Sequence, residues 1–275
     1  CPVEVEADFV DKTVESLPAK NGFDSAEDCF NRVELRAVAY VQNRSDIEFL
    51  ELLSQLIAVF IMLPLLFKSR QPRVVITASD VHNPSSGGGR VGRPAGLGTM
   101  DGLHSGAGFT MVDGDSAYDA DKAYKDSKLC NVLMGRELAR QLQEQGRFIP
   151  VMAWSPGLVI PRGQGGFFRT SRQQNPLGLA LFALVARDLL RLTETVQTAG
   201  ELLASLVIDA DYSKPGFAYY SNTLLGPGRH RFQSSPTSEE GADASKAKDL
   251  WLRCEQLISA VIQVDPPPAM PETST

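Results

Sequence analysis

The feature that most constrains this chain is a tyrosine and a lysine placed four residues apart, Tyr124 and Lys128. On a helix, residues four apart lie on one face, so the ammonium of Lys128 would sit beside the phenol of Tyr124. A free tyrosine titrates at about 10, and a neighbouring cation favours its anion. The pair is therefore suited to donate a proton near neutral pH. The same spacing also occurs in ordinary pairs on helix surfaces, so the flanking sequence has to decide between the two interpretations.

Two apolar runs flank the pair and predict strands. The first is residues 73–79, Arg-Val-Val-Ile-Thr-Ala-Ser, and the second is residues 148–157, which end in Ser-Pro-Gly. Between them, residues 122–145 carry leucines and valines at helical spacing and stop before Gly146, a residue type common just after a helix. A strand, a long helix and a second strand in this order predict an α/β fold.

This arrangement resembles the back half of the short-chain dehydrogenase/reductase pattern. The resemblance implies a Rossmann-like, doubly wound parallel sheet, and it also implies roles for five residues. Ser79, Tyr124 and Lys128 would be catalytic. Tyr124, Lys128, Pro156 and Gly157 would bind the cofactor, with Pro156 and Gly157 in the loop that covers the nicotinamide.

Residues 122–131, Lys-Ala-Tyr-Lys-Asp-Ser-Lys-Leu-Cys-Asn, are very similar to the light-dependent protochlorophyllide oxidoreductases, which belong to that superfamily. A long insert before the tyrosine, here residues 80–120, is a further feature of these enzymes. Segments 216–222 and 244–251 resemble their last strand and closing helix, so the resemblance covers roughly residues 62–262. It implies NADPH-dependent reduction of protochlorophyllide to chlorophyllide in the light, with the tyrosine as proton donor, and a chloroplast location.

Some positions depart from that family. Leu158 stands where the pigment enzymes have a cysteine, and residues 159–162 replace a threonine-rich segment that helps to hold the cofactor. Residues 79–84, Ser-Asp-Val-His-Asn-Pro, resemble retinol-type dehydrogenases equally well. One alternative function is therefore a light-independent dehydrogenase acting on a carbonyl or alcohol of an apolar substrate. Another is a catalytically inactive fragment or pigment-binding relative.

The cofactor-phosphate turn of a complete fold is not recognised in the N-terminal third. That turn is rich in glycine because backbone amides at a helix N-terminus meet the phosphates. Only Gly22 occurs before Gly87, so we expect this part to be incomplete or replaced and NADPH binding to be weak. The choice of NADPH over NADH rests on the resemblance alone. The literal G-x-G-x-x-G at residues 87–92 precedes Pro94 and cannot open a helix, which indicates a flexible insert.

Composition and the family resemblance divide the chain into three segments. Residues 1–45 form a divergent acidic segment, residues 46–262 form the catalytic part, and residues 263–275 form a proline-containing tail that we expect to be disordered. Residues 46–67 are the most apolar stretch. Glutamates interrupt it, so we favour a buried helix over a membrane span.

The net charge and the spacing of the cysteines limit the kinds of binding partner that the chain is expected to have. A net charge of −6 argues against nucleic acid. The cysteines show no C-x-x-C spacing, and the aspartates of residues 113–121 lack the glutamate of a calcium loop, so we predict no metal site. The chain opens on Cys1, so we expect a fragment or a processed form. The expected partner is an apolar small molecule or a tetrapyrrole, and the resemblance leaves room for peripheral membrane association and a homo-oligomer. With no targeting peptide visible, the alternative location is the cytoplasm.

Overall fold

A four-stranded sheet organises the residues that the computed structural model describes, which are 66–115, 117–160 and 175–263. In chain order the elements are β1 (Val74–Thr77), α1 (Ala120–Glu144), β2 (Pro150–Ser155), α2 (Pro176–Ala183), a π-helical segment (Leu184–Leu189), α3 (Val196–Ile208), β3 (Gly216–Gly226), β4 (Arg229–Ser234), α4 (Glu239–Ala242) and α5 (Ala244–Gln263). Short 3-10 helices lie at Asp80–His82, Asp101–Gly108 and Ala210–Tyr212. The strand, helix and strand predicted around Tyr124 are therefore confirmed.

The strands lie in the order β1-β2-β3-β4, and the first three are parallel. Val74 of β1 lies opposite Val151 of β2, which in turn lies opposite Phe217 of β3. β4 is antiparallel to β3 and follows the Gly-Pro-Gly sequence at residues 226–228, where Gly228 has a φ of 65°. The Rossmann-like α/β prediction is confirmed, with an additional antiparallel edge strand that no sequence pattern had predicted.

Alternate residues of the parallel strands pack on opposite faces of the sheet. Val151 of β2 lies in the cluster of buried side chains that joins the sheet to α1 and α5. Its neighbours Met152 and Trp154 pack on the other face, against Leu206 of α3. Helices therefore cover both faces, as the predicted doubly wound arrangement requires.

The insert between β1 and α1 is packed into the protein. Leu97 and Met111 are completely buried, and Met100 is nearly so. Leu97 and Met100 join a core cluster with residues of α1 and α5, including Leu133 and Trp251. The prediction of a flexible insert was made on residues 87–92, which are mostly exposed. The burial of Leu97, Met100 and Met111 was not predicted, because apolar residues scattered among glycines gave no periodic signal of burial. Segments 1–45 and 46–65 and the tail from residue 264 lie outside the described residues.

Candidate active site

Helix α1 carries Tyr124 and Lys128 in its first turns. The carboxylate of Asp119 caps the helix by accepting hydrogen bonds from the N–H groups of Asp121 and Lys122, both at 3.0 Å. The Nζ atom of Lys128 lies over the Tyr124 ring, 5.3 Å from its centroid. Lys128 is only 9% exposed, so solvent screens its charge weakly. The two side chains meet on one helix face, as their spacing predicts.

Contacts along α1 show which end of the sheet its first turns reach. The Nδ2 atom of Asn131 donates a 3.1 Å hydrogen bond to the carbonyl oxygen of Thr77, the last residue of β1. Three turns later, Gln143 lies against Gly216, the first residue of β3. The helix therefore runs from the carboxyl edge of the sheet to its amino edge, and its first turns lie at the carboxyl edge. Open α/β sheets bind their ligands at that edge.

Ser79 comes directly after β1 and precedes the Asp80–His82 turn. Its backbone is extended, and its Oγ atom lies 3.5 Å from the backbone nitrogen of Val81. Pro156 and Gly157 follow β2, the parallel neighbour of β1, so they reach the same edge of the sheet as Ser79. Helix α1 packs against the Asp80–His82 turn. The fold thus brings all five residues predicted from the sequence to the carboxyl edge.

A buried histidine holds the turn that contains Ser79. The side chain of His82 is fully buried. Its Nδ1 lies 2.7 Å from the carbonyl oxygen of Ser79, and its Nε2 accepts a 3.3 Å hydrogen bond from the backbone N–H of Ser238. Burial lowers the pKa of His82, which favours the neutral ring. A neutral ring protonated on Nδ1 satisfies both contacts, so His82 fixes the Ser79 carbonyl to the segment before α4.

A carboxylate next to Ser79 connects the ends of the strands. Asp80 accepts hydrogen bonds from the hydroxyl of Tyr219 on one oxygen and from that of Ser221 on the other, both at 2.7 Å. Burial raises the pKa of Tyr219, and the negative charge of Asp80 raises it further. Tyr219 is thus a neutral hydrogen-bond donor. These residues escaped the sequence analysis because residues on β3 and in the turn after β1 are far apart in the chain.

Ser155 joins the two loops that carry Ser79 and Gly157. Its Oγ atom accepts the backbone N–H of Asp80 at 3.2 Å and that of Gly157 at 3.3 Å. Gly157 has a φ of 82°, and a Cβ there would lie 3.0 Å from the carbonyl oxygen of Asn222. Glycine is therefore required where this loop crosses β3. Ser155 precedes Pro-Gly at the end of a predicted strand, and this position was a signal that could have identified it.

Three residues that come later in the chain, Glu194, Asn222 and His230, also hold the Pro156–Gly157 loop. The Nδ2 atom of Asn222 lies 3.2 Å from both the carbonyl oxygen of Pro156 and the Oε2 atom of Glu194. Burial acts to raise the pKa of Glu194, but hydrogen bonds from the Thr195 N–H and from Asn222 outweigh it and hold the pKa below its usual value. The Nδ1 atom of His230 lies 3.5 Å from the same oxygen of Glu194. An anionic Glu194 thus anchors the loop to β3 and β4.

Two lysines of α1 fasten the insert next to the catalytic helix. Lys122 donates to the carbonyl oxygen of Gly96 at 2.7 Å, pairs with Asp113 at 3.0 Å and also pairs with Asp126. Asp126 is fully buried and accepts the N–H of Gly96 at 2.9 Å. Lys125 donates to the carbonyl oxygens of insert residues in the same way. Lysines that a surface-helix interpretation would place in solvent therefore join α1 to the insert.

The chemistry of the donor set fits the nicotinamide end of NADPH, the cofactor that the family resemblance implies. An ammonium, a phenol and a hydroxyl, from Lys128, Tyr124 and Ser79, can bond ribose hydroxyls and a carboxamide. Gly157 keeps its loop close to the sheet. The chemistry that the cofactor supplies when bound is hydride transfer.

Parallel strands, helices on both faces and a Tyr–Lys helix at the carboxyl edge are features that make this chain similar to the short-chain dehydrogenases/reductases. The chain is 31% identical over 207 residues to protochlorophyllide reductase A, chloroplastic, of Oryza sativa subsp. japonica, which is 73% of this chain and 50% of that protein. It is 30% identical over 190 residues to the corresponding protein of Triticum aestivum, and 30% identical over 190 residues to protochlorophyllide reductase of Avena sativa. These matches cover 68% of this chain and 46% and 57% of the two relatives. The chain is thus related to the protochlorophyllide reductases, as its sequence predicts, and it spans about half the length of the curated relatives it matches.

No family model matches the chain. A crystal structure of an uncharacterized protein from Mycobacterium Paratuberculosis aligns with a TM-score of 0.40 and 23% identity, over 68% of this chain and 50% of that one.

Proposed function

We propose that this chain carries the catalytic half of an NADPH-dependent oxidoreductase that reduces protochlorophyllide to chlorophyllide in the light, with Ser79, Tyr124 and Lys128 as its catalytic residues. The observation that carries the proposal is the position of the Lys128 ammonium, 5.3 Å from the centre of the Tyr124 ring, on a helix whose first turns lie at the carboxyl edge of the sheet. The relationship to the protochlorophyllide reductases supports the substrate class. The same relationship supports a chloroplast location, since the relatives from Oryza sativa and Triticum aestivum are chloroplastic.

In the proposed reaction a ring double bond of the substrate receives a hydride on one carbon and a proton on the other. Tyr124 donates the proton from its hydroxyl and becomes a phenolate. Lys128 stabilises that phenolate through its positive charge. Solvent screens this charge weakly because the Lys128 side chain is almost buried. Lys128 also binds the ribose of the cofactor, and Ser79 lies at the same edge of the sheet.

Pro156 and Gly157 serve to cover the nicotinamide. Their loop is fixed because the N–H of Gly157 donates to Ser155 and the amide of Asn222 donates to the carbonyl of Pro156, so it needs little rearrangement to receive a flat ring. The loop ends in Leu158 rather than a cysteine. In this proposal the proton therefore comes from Tyr124 alone.

A light-independent dehydrogenase is the second candidate. Leu158 and the Ser-Asp-Val-His sequence at residues 79–82 favour it, since the former departs from the pigment enzymes and the latter resembles retinol-type dehydrogenases. The same tyrosine and lysine would then act on a carbonyl or alcohol of an apolar molecule. A catalytically inactive pigment-binding relative is the third candidate, and the unrecognised phosphate-binding turn favours it.

Illumination separates these candidates. Purified protein is mixed with NADPH and protochlorophyllide, and chlorophyllide formation is followed by absorbance in light and in darkness. Conversion that requires light supports the proposal. Dark turnover of retinal with NADPH supports the second candidate, and pigment binding without turnover under any condition supports the third.

Peripheral membrane association is part of the proposal. Leu177, Leu181, Leu189 and Ile208 are between 63% and 84% exposed on α2, the π-helical segment and α3. In the described ranges no helix has the length and apolar character needed to cross a membrane. Co-sedimentation with vesicles of neutral galactolipid tests the association, and Leu181→Glu should reduce it. Self-association of this face, measured by analytical ultracentrifugation without lipid, would instead indicate a homo-oligomer.

A further inference from the structure

A cleft of about 660 Å³ lies beside the first half of β3, away from the catalytic residues. Six of the residues that form it are Arg136, Tyr212, Lys214, Phe217, Tyr220 and Thr237. Arg136 follows Tyr124 by twelve positions on α1, which corresponds to about 18 Å along a helix. The volume lies in the range of roughly 300–1,000 Å³ that small-molecule sites occupy.

The cleft forms where β4 leaves the edge of β3. Ser235 donates its backbone N–H to the carbonyl oxygen of Tyr219 at 2.9 Å. The next residue, Pro236, has no N–H and cannot extend the ladder. Phe217 and Ala218 therefore have β2 on one side and the cleft on the other. The opening is built into the course of the chain.

Among the described residues that line this cleft there are two cations and no carboxylate, although the whole chain carries a net charge of −6. Arg136 is held in place because its Nε donates to the carbonyl oxygen of Gly241 at 3.0 Å and its Nη2 lies 3.4 Å from Oγ1 of Thr237. Its Cζ atom lies 5.0 Å from the centroid of Phe217. In the described part of the chain its Nη1 has no acceptor. Burial lowers the pKa of Arg136, as expected for a guanidinium without an acidic partner.

The opposite wall is aromatic and well fixed. The rings of Tyr212 and Tyr220 meet edge to face with centroids 5.0 Å apart, and Phe232 stacks on Tyr220 at 5.9 Å. Arg73 holds the loop that carries Tyr212 by donating to the carbonyl oxygen of Asp209 at 2.7 Å. A flat apolar ligand would therefore meet a surface that is already in position.

We propose that this cleft is a second binding site, for a small planar carboxylate whose anionic end contacts Arg136 and whose apolar body lies against the tyrosines. A guanidinium matches the two oxygens of a carboxylate better than an ammonium does, and Lys214 at the rim adds to the attraction. Aromatic faces favour a planar partner. None of the residues proposed to act in catalysis lines this cleft, so the proposed binding does not require the catalytic function.

Calorimetric titration of the 275-residue chain with 2-naphthoate tests this inference. We expect saturable binding, and about tenfold weaker binding of the uncharged 2-naphthamide. Arg136→Gln should weaken naphthoate binding about tenfold or more. Arg231→Gln, which removes an equal charge from an exposed position on β4, should leave it unchanged.

Arg136 also connects α1 to α4, so its replacement could destabilise the fold. Thermal unfolding of each variant is therefore measured together with its affinity for naphthoate. If Arg136→Gln does not fold, Lys214→Glu replaces it, because Lys214 is exposed and its reversal should weaken binding by repulsion alone. Equal affinity for naphthoate and naphthamide would overturn the inference. So would parental affinity in the folded variants, or the absence of saturable binding up to about 10 mM naphthoate.

Discussion

Tyr219 donates a hydrogen bond of 2.7 Å to the carboxylate of Asp80, a residue 139 positions earlier in the chain. Ser221 donates to the second carboxylate oxygen. These two hydrogen bonds join β3 to the turn after β1. Strand β1 lies two strands away from β3 in the sheet. The position of Ser79, the residue before Asp80, therefore depends on side chains of the last parallel strand.

This contact predicts a measurable coupling. Asp80→Ala should lower the free energy of unfolding by about 1–3 kcal/mol, because buried hydroxyl donors lose their acceptor. In a double-mutant cycle with Tyr219→Phe, we expect a coupling energy of about 0.5–3 kcal/mol from urea denaturation. Strict additivity of the two substitutions would show that the bond does not contribute to stability.

Tyr124→Phe should abolish reduction and leave the fold intact, since it removes one hydroxyl and little volume. General acid catalysis typically contributes about 10²- to 10⁴-fold in rate, so turnover should fall by that order. Steady-state rates with NADPH and protochlorophyllide in light measure it, with circular dichroism as the check on folding. Tyr118→Phe, at an exposed position before the helix, is the matched control. Turnover close to that of the parent protein would refute the role of Tyr124.

Lys128→Ala should weaken both nucleotide binding and turnover, because the lysine is proposed to contact the ribose and to stabilise the phenolate. Fluorescence titration with NADPH measures the first effect and steady-state kinetics the second. Lys248→Ala removes an exposed lysine from α5 and should change neither. If Lys128→Ala kept the NADPH affinity and the turnover of the parent protein, the Tyr–Lys pair would be an ordinary helix contact.

The 275-residue chain should bind NADPH only weakly, so the assays of the Tyr124 and Lys128 variants need a large excess of NADPH. A dinucleotide site of this type needs glycines that let the backbone approach the pyrophosphate, and residues 1–86 contain only Gly22. The neighbouring carboxylate of Asp24 would repel phosphate. Isothermal titration calorimetry decides the matter, and micromolar affinity would reveal a segment that replaces the usual turn.

Asp126 should make stability depend on mildly acidic pH. Burial raises its pKa from 3.8 to about 6, even though Lys122 and the Gly96 N–H oppose the shift. Between about pH 4 and pH 6 the native state therefore holds a proton that the unfolded chain has released. The contribution of Asp126 to stability is greatest at the acidic end of this window and is lost as the pH rises through it.

Urea denaturation across this window, for the parent and Asp126→Asn, tests the sign. The parent's free energy of unfolding, minus that of the variant, should fall as the pH rises from about 4 to about 6. A difference that stays constant or rises would contradict the assigned direction.

Local patterns predicted the elements that position the site. The apolar run before Ser79, the helical spacing around Tyr124 and the Pro-Gly after β2 each act over a few residues, and each prediction matches an element of the fold. Asp80 and His82 could not be found in this way. Their partners lie on other strands or before α4, and hydrogen bonds between distant segments leave no periodic trace in a sequence.

The insert illustrates the same limit. Its glycines indicated flexibility and gave no sign of packing, but Leu97 and Met111 are completely buried and Lys122 donates to the carbonyl of Gly96. The burial of a single apolar residue depends on what the fold places opposite it. Helices α1 and α5, which follow the insert in the chain, provide those contacts, so the sequence of the insert alone could not predict its packing.

The single oxygen of Ser155 that accepts two backbone N–H groups has a thermodynamic consequence for ligand binding. Because the turn after Ser79 and the loop at Gly157 share this acceptor, restricting one of them also restricts the other. A ligand that immobilises the Gly157 loop therefore lowers the conformational entropy still to be lost when a second ligand orders the Ser79 turn. Two ligands that meet at this edge would bind cooperatively without any change in the average structure.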